Sequence, residues 1–317
     1  MISVIIPNYN HALFLKKRID SVLNQTLQDF EIIILDDASD DNSMDIISSY
    51  KEHPKVTAII VNKKNSGSPY LQWQKGFNTA KGDLIWIAES DDFSSPLFLE
   101  TLTPLFNDIE IKIAFCRSMI VDEYNIEKGL DFWGKESNPE FWEQSFMIDG
   151  KRLLEKYQLY KNCLVNAGSV IFRKSMLENI SDYPHNLKRS GDWLFWNQIV
   201  MCGKVAYIAD VLNYWRKHQK TTRAMGNYEV EKEKFHEQLA VISRTKKLIG
   251  KQIPIDYKKW SWIVEMWIRR FTYKNFFRRD YTFPPLPFRL MTLFYRMLFK
   301  RLFIALYYSV RNSFVKV

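Results

Sequence analysis

Carboxylates and side-chain amides gather at three places early in the chain: Asn8-Tyr9-Asn10, Asp36-Asp37-Ala-Ser-Asp40-Asp41 and Glu89-Ser90-Asp91-Asp92. Acids as close together as Glu89, Asp91 and Asp92 repel one another unless water or a cation neutralises them, and a divalent ion that takes oxygen ligands is one such neutraliser. The competing reading is structural, because acids are favoured at a helix N-terminus and Pro96 follows closely. The run at 36–41 carries the same two readings. Its acids and Ser can cap a helix starting near Ser43, and a carboxylate there can also accept hydrogen bonds from a uracil imide or from ribose hydroxyls.

These clusters need elements to hold them, and the apolar patterning supplies them. Residues 2–6 are largely β-branched and stop at Pro7, after which Leu15, Ile19, Val22 and Leu23 recur at helical spacing. Further strands are predicted at 31–35, 56–61 and 84–88, with helices at 44–50 and 70–80 between them. Strands alternating with helices imply a mainly parallel sheet covered on both faces. All three polar clusters follow strands, and in such sheets the ligand crevice lies outside the carboxyl ends of the strands, so the three loops can line one site. Beyond residue 110 the pattern is less regular, turn-rich and aromatic over 132–146. Helices are predicted at 150–160 and 193–201, and strands at 166–172 and 205–209. From about Tyr228 the chain turns helical and basic, with a break at Pro284-Pro285-Leu-Pro287.

At 317 residues and 46% hydrophobic content the chain can bury a substantial core, which excludes disorder as a description of most of it. Cys116, Cys163 and Cys202 are odd in number, widely spaced and without a CxxC, which indicates neither a disulfide framework nor a zinc knuckle and fits a reducing cytosol. The start carries no basic leader, and its apolar run is too short for a signal peptide or a membrane span. Net charge is +9, but residues 281–317 hold six basic side chains and no acid. The basicity therefore belongs largely to an apolar C-terminal segment, which argues against nucleic acid as a partner.

Taken in order, Val4-Ile-Ile-Pro7-Asn8-Tyr9-Asn10, Ser21-Val-Leu-Asn-Gln25-Thr26, Leu35-Asp36-Asp37-Ala38-Ser39-Asp40-Asp41, Asn65-Ser-Gly67, Lys75-Gly76, Ala80-Lys-Gly82-Asp83 and Glu89-Ser-Asp91-Asp92 resemble the family 2 inverting glycosyltransferases. The amino-terminal domain of that family opens with a strand, an Asn-rich turn and a Val-Asp-Asp-Gly-Ser-like loop. The resemblance implies an α/β GT-A fold, with a mainly parallel sheet flanked by helices and a helical, basic C-terminal extension. It divides the chain into a GT-A domain at 1–227, with a nucleotide-sugar part at 1–110 and an acceptor part at 111–227, and the extension at 228–317.

By the same resemblance Pro7, Asn8, Tyr9, Asp37 and the turn holding Asn65 and Gly67 surround the nucleotide, with Asp37 on the base, a uracil. Glu89, Ser90 and Asp91 meet the donor as an Asp-X-Asp-type motif, where Asp91 or Asp92 holds Mn²⁺ or Mg²⁺ against the diphosphate. Ser190-Gly191-Asp192-Trp193 resembles the motif that places a general base, Asp192, at a helix start, where an N-cap is the structural alternative. Tyr214-Trp215-Arg216-Lys217-His218 resembles the segment that closes over the diphosphate, with His218 as a neutral metal ligand and Arg216 or Lys217 against the phosphates. His11, His53, His185 and His236 match no motif and receive no role. Two positions depart from the pattern: Glu89 stands where many relatives carry Asp, and Trp73 where relatives often place Arg.

The function implied is inverting transfer of a sugar from a UDP-sugar donor to a hydroxyl of a glycan or lipid-linked saccharide, in cell-surface polysaccharide synthesis. The alternative is a sugar-nucleotide-binding or scaffold protein that keeps the fold without turnover. If residues 289–311 form one helix, Arg289, Arg296, Lys300 and Arg311 share a narrow arc, with apolar residues over the rest. Charges at 296, 300 and 301 interrupt any membrane-length apolar span. The expectation is a helix lying on an anionic membrane, which would place a cytoplasmic protein peripherally on the inner face of the cell membrane.

Overall fold

Strands covered by helices on both faces have no polar side, and the first strands of this chain are built accordingly. In the computed structural model, which describes residues 1–130, 138–218, 228–250, 256–268 and 288–314, all seven residues of β1 (Ile2–Asn8) and of β2 (Phe30–Asp36) are buried. Between them lies α1 (Ala12–Leu23), followed after β2 by α2 (Ser43–Ser49), β3 (Val56–Val61), α3 (Pro69–Thr79) and β4 (Leu84–Ile87). These elements match the predicted ones to within a residue or two at most ends. The strands pair in parallel in the order β3-β2-β1-β4.

Past β4 the sheet becomes mixed. The chain forms β5 (Phe93–Ser94), α4 (Phe98–Leu102), β6 (Ile111–Val121), β7 (Glu127–Leu130), α5 (Pro139–Glu143), β8 (Phe146–Asp149) and α6 (Gly150–Leu153). It continues with β9 (Val170–Arg173), α7 (Gly191–Val200) and β10 (Lys204–Arg216). β9 runs antiparallel to both β4 and β6, and β10 is parallel to β6. The sheet path is thus β3-β2-β1-β4-β9-β6-β10-β5, with β7 on β6 and β8 on β10.

Three features of this half differ from expectation. β6 was not predicted, and β10 extends well past residue 209. In β10 the register slips between Ile208 and Val211 and again before Asn213, and bulges of this kind break the two-residue periodicity that marks a strand. Asn213 is a polar residue with no exposure, whose side-chain NH2 donates to Ser118 Oγ at 3.0 Å and to Asn166 Oδ1 at 3.1 Å. The helix predicted at 150–160 is the short α6 continued by a wider π-type turn at Leu154–Gln158.

The chain forms two compact units, 1–224 with 240–250, and 225–239 with 251–317. Helix α8 (Tyr228–Ile249) starts at the expected boundary and is divided between the units, its second half grouped with the sheet-bearing one. There Arg244 Nε meets Asp182 Oδ2 at 2.8 Å, and Asn197 donates to Thr245 at 2.8 Å. In the second unit Phe235 stacks near Trp267 of α9 (Ser261–Trp267), and Arg301 of α10 (Phe288–Phe314) bonds Glu265 at 2.9 Å. The break at 284–287, Lys316, and the side chains of Arg289, Leu302, Leu306 and Arg311 lie outside the described residues.

Gly82 shows how closely the site-bearing strands are seated. Its N–H donates to Ser3 Oγ at 2.8 Å, and a Cβ there would stand 2.7 Å from the Met1 carbonyl and from the Ser3 nitrogen. Backbone cannot move aside as a side-chain tip can. Gly82→Ala is expected to cost about 1–3 kcal/mol, the usual range for overpacking, and to lower the melting temperature by several degrees. An unchanged thermal transition would contradict the close approach.

Candidate active site

The register of the first strands aligns their polar ends. Asn8 at the end of β1 pairs with Asp36 at the end of β2, and its side chain donates to Asp36 Oδ1 at 2.8 Å. Asp36 also accepts from Ser39 N at 2.9 Å, and Ser39 Oγ receives the Asn10 amide at 2.9 Å. Asp41 caps two helices at once, taking the Ala12 amide of α1 and the Ser43 amide of α2 at 2.9 Å each. Capping and binding were alternatives in the sequence; the acidic run divides them among its members.

Asp37 organises the opposite wall. Its Oδ1 accepts from Asn62, the Ser66 amide and Gln72, while among the described residues Oδ2 accepts only the Ser66 hydroxyl, at 2.7 Å. A carboxylate oxygen has two lone-pair sites, so Oδ2 retains one for a ligand. The loop at 65–68 is thereby fixed, with Gly67 at φ 71°.

These loops line a cleft of about 590 Å³, a size suited to a substantial small ligand. Pro7, Asn8, Tyr9, Asp37, Asn65, Gly67, Glu89, Ser90, Asp91, Asp92 and Asp192 all contribute to its lining. Tyr70, Trp73, Asn166, Lys188 and Arg189, which received no role in the sequence reading, line it as well.

The acidic motif after β4 separates into three distinct environments. Glu89 accepts from Trp73 Nε1 at 3.1 Å, and burial followed by the charges of Asp91 and Asp92 pushes its carboxyl up to about 8. Burial also acts on Asp91, but the hydrogen bond from His218 and the nearby imidazoles hold it below the usual carboxylate range. Asp92 is raised by burial and by the charge of Asp91. Its Oδ1 accepts the Arg216 amide at 2.8 Å and its Oδ2 accepts Asn166 at 2.7 Å.

Two expected site residues make other contacts. Asp92 was a candidate metal ligand, and both its oxygens accept from chain donors. Among the described residues, a group able to hold an ion is His11, Asp91 and His218, whose ligand atoms all lie within 4.8 Å of one another. His218 Nε2 stands 3.2 Å from Asp91 Oδ2. One carboxylate oxygen with two imidazole nitrogens is a donor set that divalent first-row ions accept, so the residues fit such a cofactor. Arg216 was expected on the phosphates, yet it is 1% exposed and absent from the cleft lining. Its guanidinium donates to the carbonyls of Asp91 and Asp122 and to Asn125, each at 2.7 Å, and lies 4.5 Å over Phe14. It positions Asp91 by the backbone.

A second buried guanidinium, unnoticed in the sequence, comes from α1. Arg18 Nε donates to the Glu89 carbonyl at 2.8 Å, and burial pushes the group down to about 10 against the opposing pull of Asp92, Asp91 and Glu89. The signal was only an Arg on an otherwise apolar helix face.

Asp192 sits in the first turn of α7 with 8% exposure. Its Oδ2 accepts from Asn162 at 3.1 Å, its Oδ1 from the Trp193 amide at 2.8 Å, and its own amide donates to the Tyr70 hydroxyl at 3.0 Å. Ser190, not Asp192, occupies the N-cap position. A carboxylate near a helix N-terminus is favoured in its ionised form.

The family model for glycosyl transferase family 2 matches residues 3–181. The poly(ribitol-phosphate) beta-glucosyltransferase of Bacillus spizizenii is 27% identical over 219 residues, covering 68% of this chain and 32% of that enzyme. The chain spans between 32% and 65% of the length of the first curated relatives it matches. TarS 1-349 of S. aureus, solved in complex with UDP-GlcNAc, superposes with a TM-score of 0.62 at 18% identity, covering 92% of this chain and 78% of that one. The mannosyltransferase PcManGT of Pyrobaculum calidifontis, in complex with GDP-Man and Mn²⁺, gives 0.56 at 14%, covering 98% and 82%. At such identities the likeness is one of fold, the GT-A architecture.

Two non-glycine residues in these loops hold left-handed backbone, Asn10 at φ 56° and Ala38 at φ 60°. Asn tolerates that region; Ala lacks a side chain able to compensate. The family pattern carries Gly at the position of Ala38. Relief of roughly 1–2 kcal/mol of backbone strain outweighs the roughly 0.4–1 kcal/mol that Gly loses through the freer unfolded chain. Ala38→Gly should therefore raise the melting temperature slightly, and calorimetry showing a fall would refute the strain.

Proposed function

The chain belongs to glycosyl transferase family 2, and from that membership we propose that it transfers a sugar from a UDP-sugar to a hydroxyl of a glycan or lipid-linked saccharide, with inversion at the anomeric carbon. The observation that carries this reading is a single cleft lined both by the ends of β1, β2 and β4 and by Asp192. The UDP-GlcNAc complex of TarS supports the donor class, and the polyribitol phosphate acceptor and beta product named for the Bacillus relative support the acceptor class and the stereochemistry. Cell-surface polysaccharide synthesis is the setting such relatives favour.

In this reading the uracil imide donates to the remaining lone pair of Asp37 Oδ2, while Pro7, Asn8, Tyr9 and the turn at 65–67 enclose the nucleoside. Asp91 and His218 would hold a divalent cation, Mn²⁺ or Mg²⁺, whose chemistry is Lewis-acid stabilisation of the departing diphosphate. Asp192 takes the proton of the acceptor hydroxyl as that oxygen attacks the anomeric carbon from the face opposite the leaving group. Asn162 and the Trp193 amide hold the carboxylate still for that transfer.

Asp192→Asn should leave UDP-GlcNAc affinity nearly intact by calorimetry while cutting transfer by roughly 10²–10⁴-fold. Transfer at the wild-type rate would remove Asp192 from the mechanism. Donor binding without turnover in the wild type, across a panel of nucleotide sugars, would favour the scaffold alternative.

Among the described residues no helix is long and apolar enough to cross a membrane. We propose that α10 instead rests on an anionic bilayer. Leu290, Phe294 and Leu298 form its buried stripe, while Tyr295, Phe299 and Phe303 recur every fourth residue and are exposed, Phe303 by 75%. Exposed Arg296 and Lys300 adjoin that aromatic row, the arrangement of an interfacial helix. Phe299→Glu with Phe303→Glu should abolish co-sedimentation with phosphatidylglycerol vesicles and leave UDP-GlcNAc binding unchanged. Continued sedimentation of the double variant would exclude this face.

A further inference from the structure

His11 follows the Asn8-Tyr9-Asn10 turn and matches no motif, yet the fold delivers it to the acidic loop after β4. Its backbone carbonyl accepts the amides of Phe14 and Leu15, starting α1, and this needs nothing from the imidazole. The ring is fixed by other contacts. Nδ1 lies 2.8 Å from Ser90 Oγ, and the ring meets that of His218 edge-on with centroids 5.5 Å apart. Phe14 backs both imidazoles, its ring centroid 6.4 Å from that of His11 and 4.8 Å from that of His218. Asp91 stands beside them, and one ligand atom from each of the three falls within 4.8 Å of the others.

Three different segments supply this cluster: the turn before α1, the loop after β4 and the residues just past β10. Imidazoles that bind metal through one nitrogen commonly engage a hydrogen-bond partner with the other, which fixes tautomer and ring plane. Ser90 Oγ can accept from His11 Nδ1–H in that manner, in which case a metal would be met through Nε2. Resting on the metal-dependent reading above, we propose that His11 is a third protein ligand of the ion held by Asp91 and His218. The result is a site of two imidazoles and one carboxylate.

The donor set has a chemical consequence. Mg²⁺ demands oxygen ligands in near-ideal octahedral array and gives up water reluctantly. Imidazole favours later first-row ions, and affinity at a mixed nitrogen and oxygen site rises from Mn²⁺ through Co²⁺. A site with His11 as ligand prefers Co²⁺ and Mn²⁺ to Mg²⁺, and His11 is the residue that sets the preference.

The test uses the full chain and ions alone. Pulsed electron paramagnetic resonance of bound Mn²⁺ should show nitrogen coupling from two imidazoles in the wild type and from one in His11→Asn, whose amide can still bond Ser90. Calorimetry should show His11→Asn weakening Co²⁺ and Mn²⁺ by at least the roughly 10–100-fold that loss of a mere hydrogen-bond partner of a ligand costs. Mg²⁺ should weaken less, and His11→Asp should move the preference toward Mg²⁺. Coupling from one imidazole in the wild type, or unchanged Mn²⁺ affinity in His11→Asn, would overturn the role of His11 and leave the metal reading standing. A wild type that binds none of the three ions would overturn that reading and this inference with it.

Discussion

Three carboxylates at the end of one buried strand are the constraint on which the rest of the site depends. Taking such charges out of water is costly unless cations or donors compensate them, and removing one partner leaves a buried charge exposed to the full penalty. Here two buried guanidiniums do this from opposite directions in sequence. Arg18 reaches in from α1 to the Glu89 carbonyl, and Arg216 reaches back from the end of β10 to the Asp91 carbonyl while its amide serves Asp92. Both groups converge on the acidic loop, which ties the first helix and the last strand of the sheet to the same point.

Within that frame, the two departures from the family pattern are one interaction. Trp73, where an Arg is usual, donates its indole N–H to Glu89, where an Asp is usual. The longer acid reaches α3, and its carboxyl, pushed up by burial and two neighbouring acids, meets a neutral donor there. Read singly along the sequence, each is only a departure from the pattern; packed together, they are complementary.

The N-terminal half of the fold was legible because its strands are mostly apolar and are followed by polar residues, and the same rule located the cleft. β6 and β10 were not legible to the same degree, since Arg117 interrupts one and bulges with a buried Asn213 interrupt the other. Among site residues, position was easier to read than orientation. Asp91 and Asp92 are equivalent on paper, and His218 on the first and the Arg216 amide and Asn166 on the second distinguish them. Arg216 itself has the composition of a phosphate ligand, and nothing in its neighbours reveals that four chain oxygens claim it. His11 went unread because its partners lie far off in sequence.

That distance also bears on synthesis. His218 and Asp91 are separated by 127 residues, and Arg216 and Asp92 by 124. At ribosomal speeds of about 5–20 residues per second, the nucleotide-side loops emerge on the order of ten seconds before the strand that stabilises their charges. A nascent chain in that interval holds an acidic, unclosed half-site, so the cleft is completed late and all at once.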